Sequence, residues 1–103
     1  MIRFVAVGAG RMGRGIAIAF AYAGHRIALV DLRERTPEAW RTLADEARAE
    51  IRASLDGLAG LGALPVEQVD AIAARVELVD ARGAPAALAA AELVLDGLSV
   101  LLV

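Results

Sequence analysis

The residues best suited to chemistry lie near the start of the chain. Val7 to Ala17 reads VGAGRMGRGIA, and within it Gly8, Gly10 and Gly13 fall in a G-x-G-x-x-G spacing. The spacing alone is a weak signal, and its surroundings strengthen it. A strand-like apolar run precedes it and a helix-like run follows. An acid, Asp31, closes the next strand-like run about 20 residues on. Each glycine has its own task. Gly8 permits a tight turn off the strand. Gly10, with no side chain, lets a pyrophosphate approach the backbone. Gly13 lets the helix pack closely on the sheet. The N–H groups of Arg11, Met12 and nearby residues then point at the phosphates, whose charge the helix dipole favours. Without a ligand the same segment is simply a glycine-rich strand–helix turn.

Asp31 suits the sugar beside those phosphates. Its carboxylate can accept hydrogen bonds from both hydroxyls of an adenosine ribose. A 2′-phosphate there would meet a like charge. At ~4 Å that repulsion costs roughly 1 kcal/mol in water and about 4 kcal/mol near a protein surface. NAD is therefore the expected cofactor, in preference to NADP. Arg33 is counted among the cofactor contacts, and Arg33 and Arg35 are both placed to meet a 2′-phosphate. The alternative for Asp31 is a strand-end residue capping a turn.

Other residues carry less. His25, the sole histidine, falls in the Gly24-His25-Arg26 turn, at the opposite end of the sheet from the glycines, and reads as a turn residue. Trp40 recurs with the apolar helix positions and is expected in the core. The side chains of Arg11 and Arg14 read as solvated arginines on the helix flank rather than phosphate ligands. No His, Asp or Glu cluster has metal-ligand spacing, and with no cysteine, disulfides and thiolate chemistry are excluded.

The elements that must position these groups are legible in outline. Ile2 to Val7 is short, apolar and partly β-branched, as in a strand buried on both faces. A helix is expected from Arg11 to Ala23, with Gly24 as its C′ residue, and a second strand from Arg26 to Val30. Thr36-Pro37-Glu38 is a helix start: a cap, a proline at the first position and an acid at the positive end of the dipole. That helix runs to about Ala59, with Trp40, Leu43, Ala44, Ala47, Ile51, Leu55 and Leu58 on one face. Arg41/Asp45 and Arg52/Asp56 are expected i,i+4 pairs, and Gly60 and Gly62 end the helix. Pro65 opens a short helix to about Ala74. A third strand (Arg75 to Val79), a helical turn (Pro85 to Ala91) and a fourth strand (Glu92 to Asp96) follow. The order β-α-β-α-α-β-α-β predicts an α/β, doubly wound, mostly parallel, three-layer sheet of Rossmann type.

Composition bounds the rest. With 103 residues, one domain is the limit. A hydrophobic share of 58% supplies a core and argues against disorder. A net charge of −2 gives no pull toward nucleic acid or an anionic membrane. All 11 basic residues are arginine, which reads as compositional bias. The apolar N-terminal run is broken by Arg11, Arg14 and glycines, which suits a turn better than a signal peptide. No run reaches the roughly 18 apolar residues of a membrane span, so a cytoplasmic location is expected. Ser99 to Val103 is an apolar run with no closing turn, so the expectation is either a fragment or a chain whose last residues differ from the natural continuation.

VGAGRMGRGIA resembles the glycine segment of the 3-hydroxyacyl-CoA dehydrogenase family, which commonly reads GAGxMGxGIA. Ala21 to Leu32 (AYAGHRIALVDL) is similar to the stretch that follows it. Ala90 to Leu98 (AAELVLDGL) is similar to that family's strand ADLVIEAVPE. A long helix plus a short one between Asp31 and the third strand fits the same family. The resemblance implies hydride transfer from the 3-hydroxyl of a hydroxyacyl-CoA to NAD. It also implies a C-terminal helical domain, beyond this chain, for substrate and homodimer contacts. The family's histidine–glutamate pair and its serine and asparagine would lie there, so no catalytic residue is assigned here. Asp96 stands where the family usually has glutamate, Ser99 where it has proline, and Val100 where an acid often lies near the nicotinamide ribose. Two other readings stand beside this one. The first is a same-fold NAD dehydrogenase of a hydroxy acid or sugar acid. The second is a non-catalytic nucleotide-binding module.

Overall fold

The computed structural model describes residues 4–96 and, as backbone, 100–102. Ile2, where the first strand is expected to begin, and Ser99 lie outside them. Five strands form one sheet: β1 (Phe4–Val7), β2 (Ile27–Val30), β3 (Val76–Val79), β4 (Leu93–Leu95) and β5 (Val100–Leu102). Their order is β3-β2-β1-β4-β5. The first four run parallel, and β5 pairs antiparallel with β4. Register places Val7 beside Val30, so β1 and β2 end side by side.

Both faces of the sheet are covered, which is why β1 and β2 are apolar at successive positions. On one face Ala6, Ile27 and Leu29 pack with Ile51, Leu55, Val69 and Ile72. Those partners come from α2 (Pro37–Gly60) and α3 (Val69–Ala73), and Ala17 and Ala21 of α1 (Arg11–Tyr22) join the same cluster. On the other face Val5, Ala28 and Val30 pack with Ala84 and Ala91, at the two ends of α4 (Ala84–Ala90). The result is three layers, helix–sheet–helix.

The helix boundaries follow local chemistry. Thr36 Oγ1 accepts the Ala39 N–H at 3.1 Å, with Pro37 and Glu38 in the first turn, as the sequence predicted. α1 and α2 both end in a Schellman arrangement. Gly24 (φ +101°) and Gly62 (φ +78°) take the left-handed C′ position. His25 N–H returns to Phe20 O, and Ala63 N–H to Leu58 O, each at 2.9 Å. The segment expected as one short helix from Pro65 divides into a 3-10 turn (Val66–Gln68) and α3.

Two expectations for α2 need correction. Ala44, Ala47, Ile51 and Leu55 are buried as predicted, but Trp40 is only half-buried and lines a surface cleft. Its turn lies near the loop after β3, past the strand ends, so no sheet lies beneath it. The i,i+4 pairs are also replaced. Asp45 meets Arg48 at 3.6 Å, and Arg52 reaches across to Asp70 of α3. A local pair on a wet helix face is worth a few tenths of a kcal/mol, too little to hold a long arginine from a partner on the next element.

Candidate dinucleotide site

The predicted site residues meet at the carboxyl ends of β1 and β2. Gly8 leaves β1 with φ +95°, and its N–H bonds Val30 O at 2.7 Å, tying the turn to the neighbouring strand. Gly10 is the N-cap of α1, in extended backbone. It brings no side-chain cap, and the first turn of α1 carries no acid. The first helical bond is Arg14 N–H to Gly10 O at 3.0 Å. The N–H groups of Arg11, Met12 and Gly13 precede it and have no partner within the helix. Gly10, Arg11 and Met12 are exposed. The positive end of α1 is thus open to an anion and uncompensated by the protein.

The glycines differ sharply in what surrounds them. A Cβ on Gly10 would meet nothing within 4 Å, so the space around it is open. A Cβ on Gly13 would come within 1.7 Å of Gly8 O and 3.2 Å of Leu29 Cδ1. Gly13 is therefore needed for the fold itself, and Gly10 is spare unless a ligand comes close.

Asp31 is 4% exposed and the only buried charged residue among those described. Its N–H bonds Val79 O at 2.9 Å, fixing it between β1 and β3. Oδ1 accepts the Arg33 N–H at 3.2 Å and Oδ2 accepts Arg35 Nε at 2.5 Å. Asp31 thus caps its own turn, at the end of the strand that pairs with β1. Arg33 sits beside it in the cleft that Trp40 lines, a space of about 580 Å³.

Arg14 departs from expectation. Its side chain is 11% exposed, not solvated. Nε donates to Ala9 O at 2.8 Å, and Nη1 pairs with Glu50 of α2. One guanidinium therefore fastens the glycine loop to the long helix. The sequence signal, an arginine one turn into the helix and an acid far along the next, is too common to have identified it. Arg14→Met should strip the Ala9 carbonyl of its donor and cost about 1–3 kcal/mol. Thermal unfolding should show the loss, and NAD titration should show a weaker complex because the loop loses its anchor. His25, as expected, lies at the far end, edge-to-face with Phe4 (5.0 Å between centroids) at the start of β1. Among the described residues no group of three or more acids and histidines could hold a metal. Nor is any described helix long and apolar enough to cross a membrane.

A parallel sheet whose first strand ends in a glycine turn at an open helix start, with a buried acid closing the second, defines a dinucleotide-binding domain of Rossmann type. Residues 4–100 match the model of the 3-hydroxyacyl-CoA dehydrogenase NAD binding domain. The chain belongs to that family. Among solved structures it is similar to 3-hydroxybutyryl-CoA dehydrogenase from Escherichia coli K12. There the identity is 30% and the TM-score 0.59, over 77% of this chain and 16% of that one. It is similar also to (S)-3-hydroxybutyryl-CoA dehydrogenase PaaH1 from Ralstonia eutropha. That match has 32% identity and a TM-score of 0.59, over 76% of this chain and 25% of that one. The chain thus spans a quarter or less of those two proteins. No curated protein gives a match.

Proposed function

We propose that this chain is the cofactor-holding part of an oxidoreductase acting on a 3-hydroxyacyl-CoA. The observation that carries the reading is the bare cradle at Gly10: an open helix start, no acid, and no Cβ where a pyrophosphate would approach. The N–H groups of Arg11 and Met12 would hold the phosphates, Gly8 and Gly13 would shape the loop, and Asp31 with Arg33 would bind the adenosine ribose. NAD, once bound, supplies the hydride acceptor for oxidation of a 3-hydroxyl. A second, helical domain in a longer protein would bring the acyl-CoA, the acid–base residues and the contacts of a homodimer. The similarity to two 3-hydroxybutyryl-CoA dehydrogenases supports that substrate class. The chain alone is expected to bind NAD and to oxidise no 3-hydroxybutyryl-CoA.

The test is calorimetric titration of the chain with NAD and ADP-ribose, beside Gly10→Ala. The backbone at Gly10 is extended (φ −78°, ψ −172°), so alanine fits it without strain. The variant should fold with an unchanged melting temperature and bind NAD at least about tenfold more weakly, a loss of roughly 1.4 kcal/mol. Unaltered NAD affinity in Gly10→Ala would remove the cradle from the site.

A further inference from the structure

Glu50, in the middle of α2, ends a chain of contacts that begins at the glycine loop. Its carboxylate pairs with Arg14 Nη1, and Arg14 Nε donates to Ala9 O at 2.8 Å. Ala9 O shares a peptide unit with the Gly10 N–H. In a trans unit the two point in opposite directions, and none of the described peptide bonds is cis. Whatever fixes the carbonyl therefore fixes the N–H. Among the described residues no hydrogen bond takes up the Gly10 N–H. Ala9 itself is buried, so its peptide has little room to turn. Glu50 is firmly mounted, because its neighbours on α2, Ala47 and Ile51, are buried in the core. The Arg14 side chain is 11% exposed and that of Glu50 42%, so the carboxylate holds an enclosed guanidinium from the wet side.

We propose that Glu50 is a positioning residue for the cofactor: acting through Arg14, it aims the Gly10 N–H as a further donor to the pyrophosphate. The proposal rests on the reading that the pyrophosphate lies at the start of α1. A guanidinium suits the task because its donors are fixed in one plane, so one edge holds the carbonyl while another meets the carboxylate. With Nε and Nη1 engaged on protein groups, Arg14 serves the geometry of the loop and not as a phosphate ligand. Without Glu50 the guanidinium is free to turn. The loop must then be ordered when the ligand binds, and that ordering costs affinity.

The test is amide NMR on the isotope-labelled chain, titrated with ADP-ribose and, separately, with adenosine. Glu50→Gln should keep the fold, and the Gly10 amide resonance should move before any ligand is added. ADP-ribose should bind about three- to fivefold more weakly, the size of a partly exposed ion pair. Adenosine carries no phosphate, so its binding should not change; a general loosening of the fold would weaken both ligands. Arg14→Lys keeps the charge, but a single ammonium does not span both partners, so ADP-ribose should weaken to a similar degree. In an Arg14→Met background, Glu50→Gln should add no further loss. The proposal is overturned if Glu50→Gln leaves ADP-ribose affinity unaltered, or raises it because the freed arginine turns to the phosphates. Equal losses for adenosine and ADP-ribose would overturn it too, as would full affinity in Arg14→Lys or additive losses in the double variant. Failure of the wild type to bind ADP-ribose at all would overturn the proposed function as well, so the two failures are distinct.

Discussion

Replacing Gly13 by alanine is expected to leave no stable native fold. The added Cβ would sit 1.7 Å from Gly8 O, far inside contact distance, and 3.2 Å from Leu29 Cδ1. Leu29 is fully buried, so it has nowhere to go. The carbonyl cannot swing away either, because Gly8 is held by its N–H bond to Val30 O and by the left-handed turn. Relief would require α1 to lift off the sheet, which would open the contacts of Ala17 and Ala21 along the same face. Overpacking with side-chain give costs about 1–3 kcal/mol; here the obstruction is backbone, and the cost exceeds that range. Small domains have only about 5–15 kcal/mol in total. Each kcal/mol lost lowers the melting temperature by roughly 4–8 °C at this size. Circular dichroism on heating should therefore show a transition at least about 15 °C lower, or none. Gly15→Ala is the matched control. Gly15 lies in the same helix, and a methyl added there would have nothing within 4 Å, so alanine should stabilise by about 0.5–1 kcal/mol. A Gly13→Ala protein melting within a few degrees of wild type would show that the close packing of α1 on β1 is wrong.

That contrast also marks what the sequence could convey. The glycine segment, the acid at the end of β2 and the Thr36-Pro37 helix start were legible because each is a local rule: a backbone conformation, a spacing, a cap. Strands β1, β2 and β4 were legible because they are apolar at successive positions, while β3 carries the exposed Glu77 between apolar neighbours. The antiparallel pairing of β5 was not, since Ser99 to Val103 reads only as an apolar run. Apart from the divided helix after Pro65, the readings that failed concern long side chains. Trp40 obeys the helical period but sits in the first turn of α2, where the period continues past the sheet that gives it meaning. Arg14, Arg35 and Arg52 each choose a partner that folding brings near. Arg14 and Arg52 reach other elements, and a spacing rule cannot see that. Arg35 returns to a residue of its own loop, in which no helical spacing applies. Consequently the phosphate half of the candidate site could be drawn from sequence, while its adenosine half, where arginine partners decide the field, could not.

Asp31→Ala is expected to separate cofactor binding from stability. The folded chain loses two acceptors, one for the Arg33 N–H and one for Arg35 Nε. Arg33 is exposed, and the Arg35 side chain is 27% exposed, so both can turn to water. The stability cost should stay near 1–2 kcal/mol, below the penalty for stranding a buried charge. The binding cost should be larger. Two charge-assisted bonds to ribose hydroxyls are worth about 1.5–3 kcal/mol each. Part of that is offset in the wild type, because the ribose must displace Arg35 or share Oδ2 with it. A net loss of about 2–3 kcal/mol corresponds to NAD affinity reduced roughly 30- to 150-fold. The competition has its own signature. Arg35→Gln frees the carboxylate, so it should tighten NAD a few-fold, and Asp31→Ala should cost more in that background than alone. Additive effects in the double-mutant cycle would mean that Arg35 and the ribose do not contend for the same oxygen. Equal NAD affinity for wild type and Asp31→Ala would remove Asp31 from the ribose site, leaving it only the turn it caps.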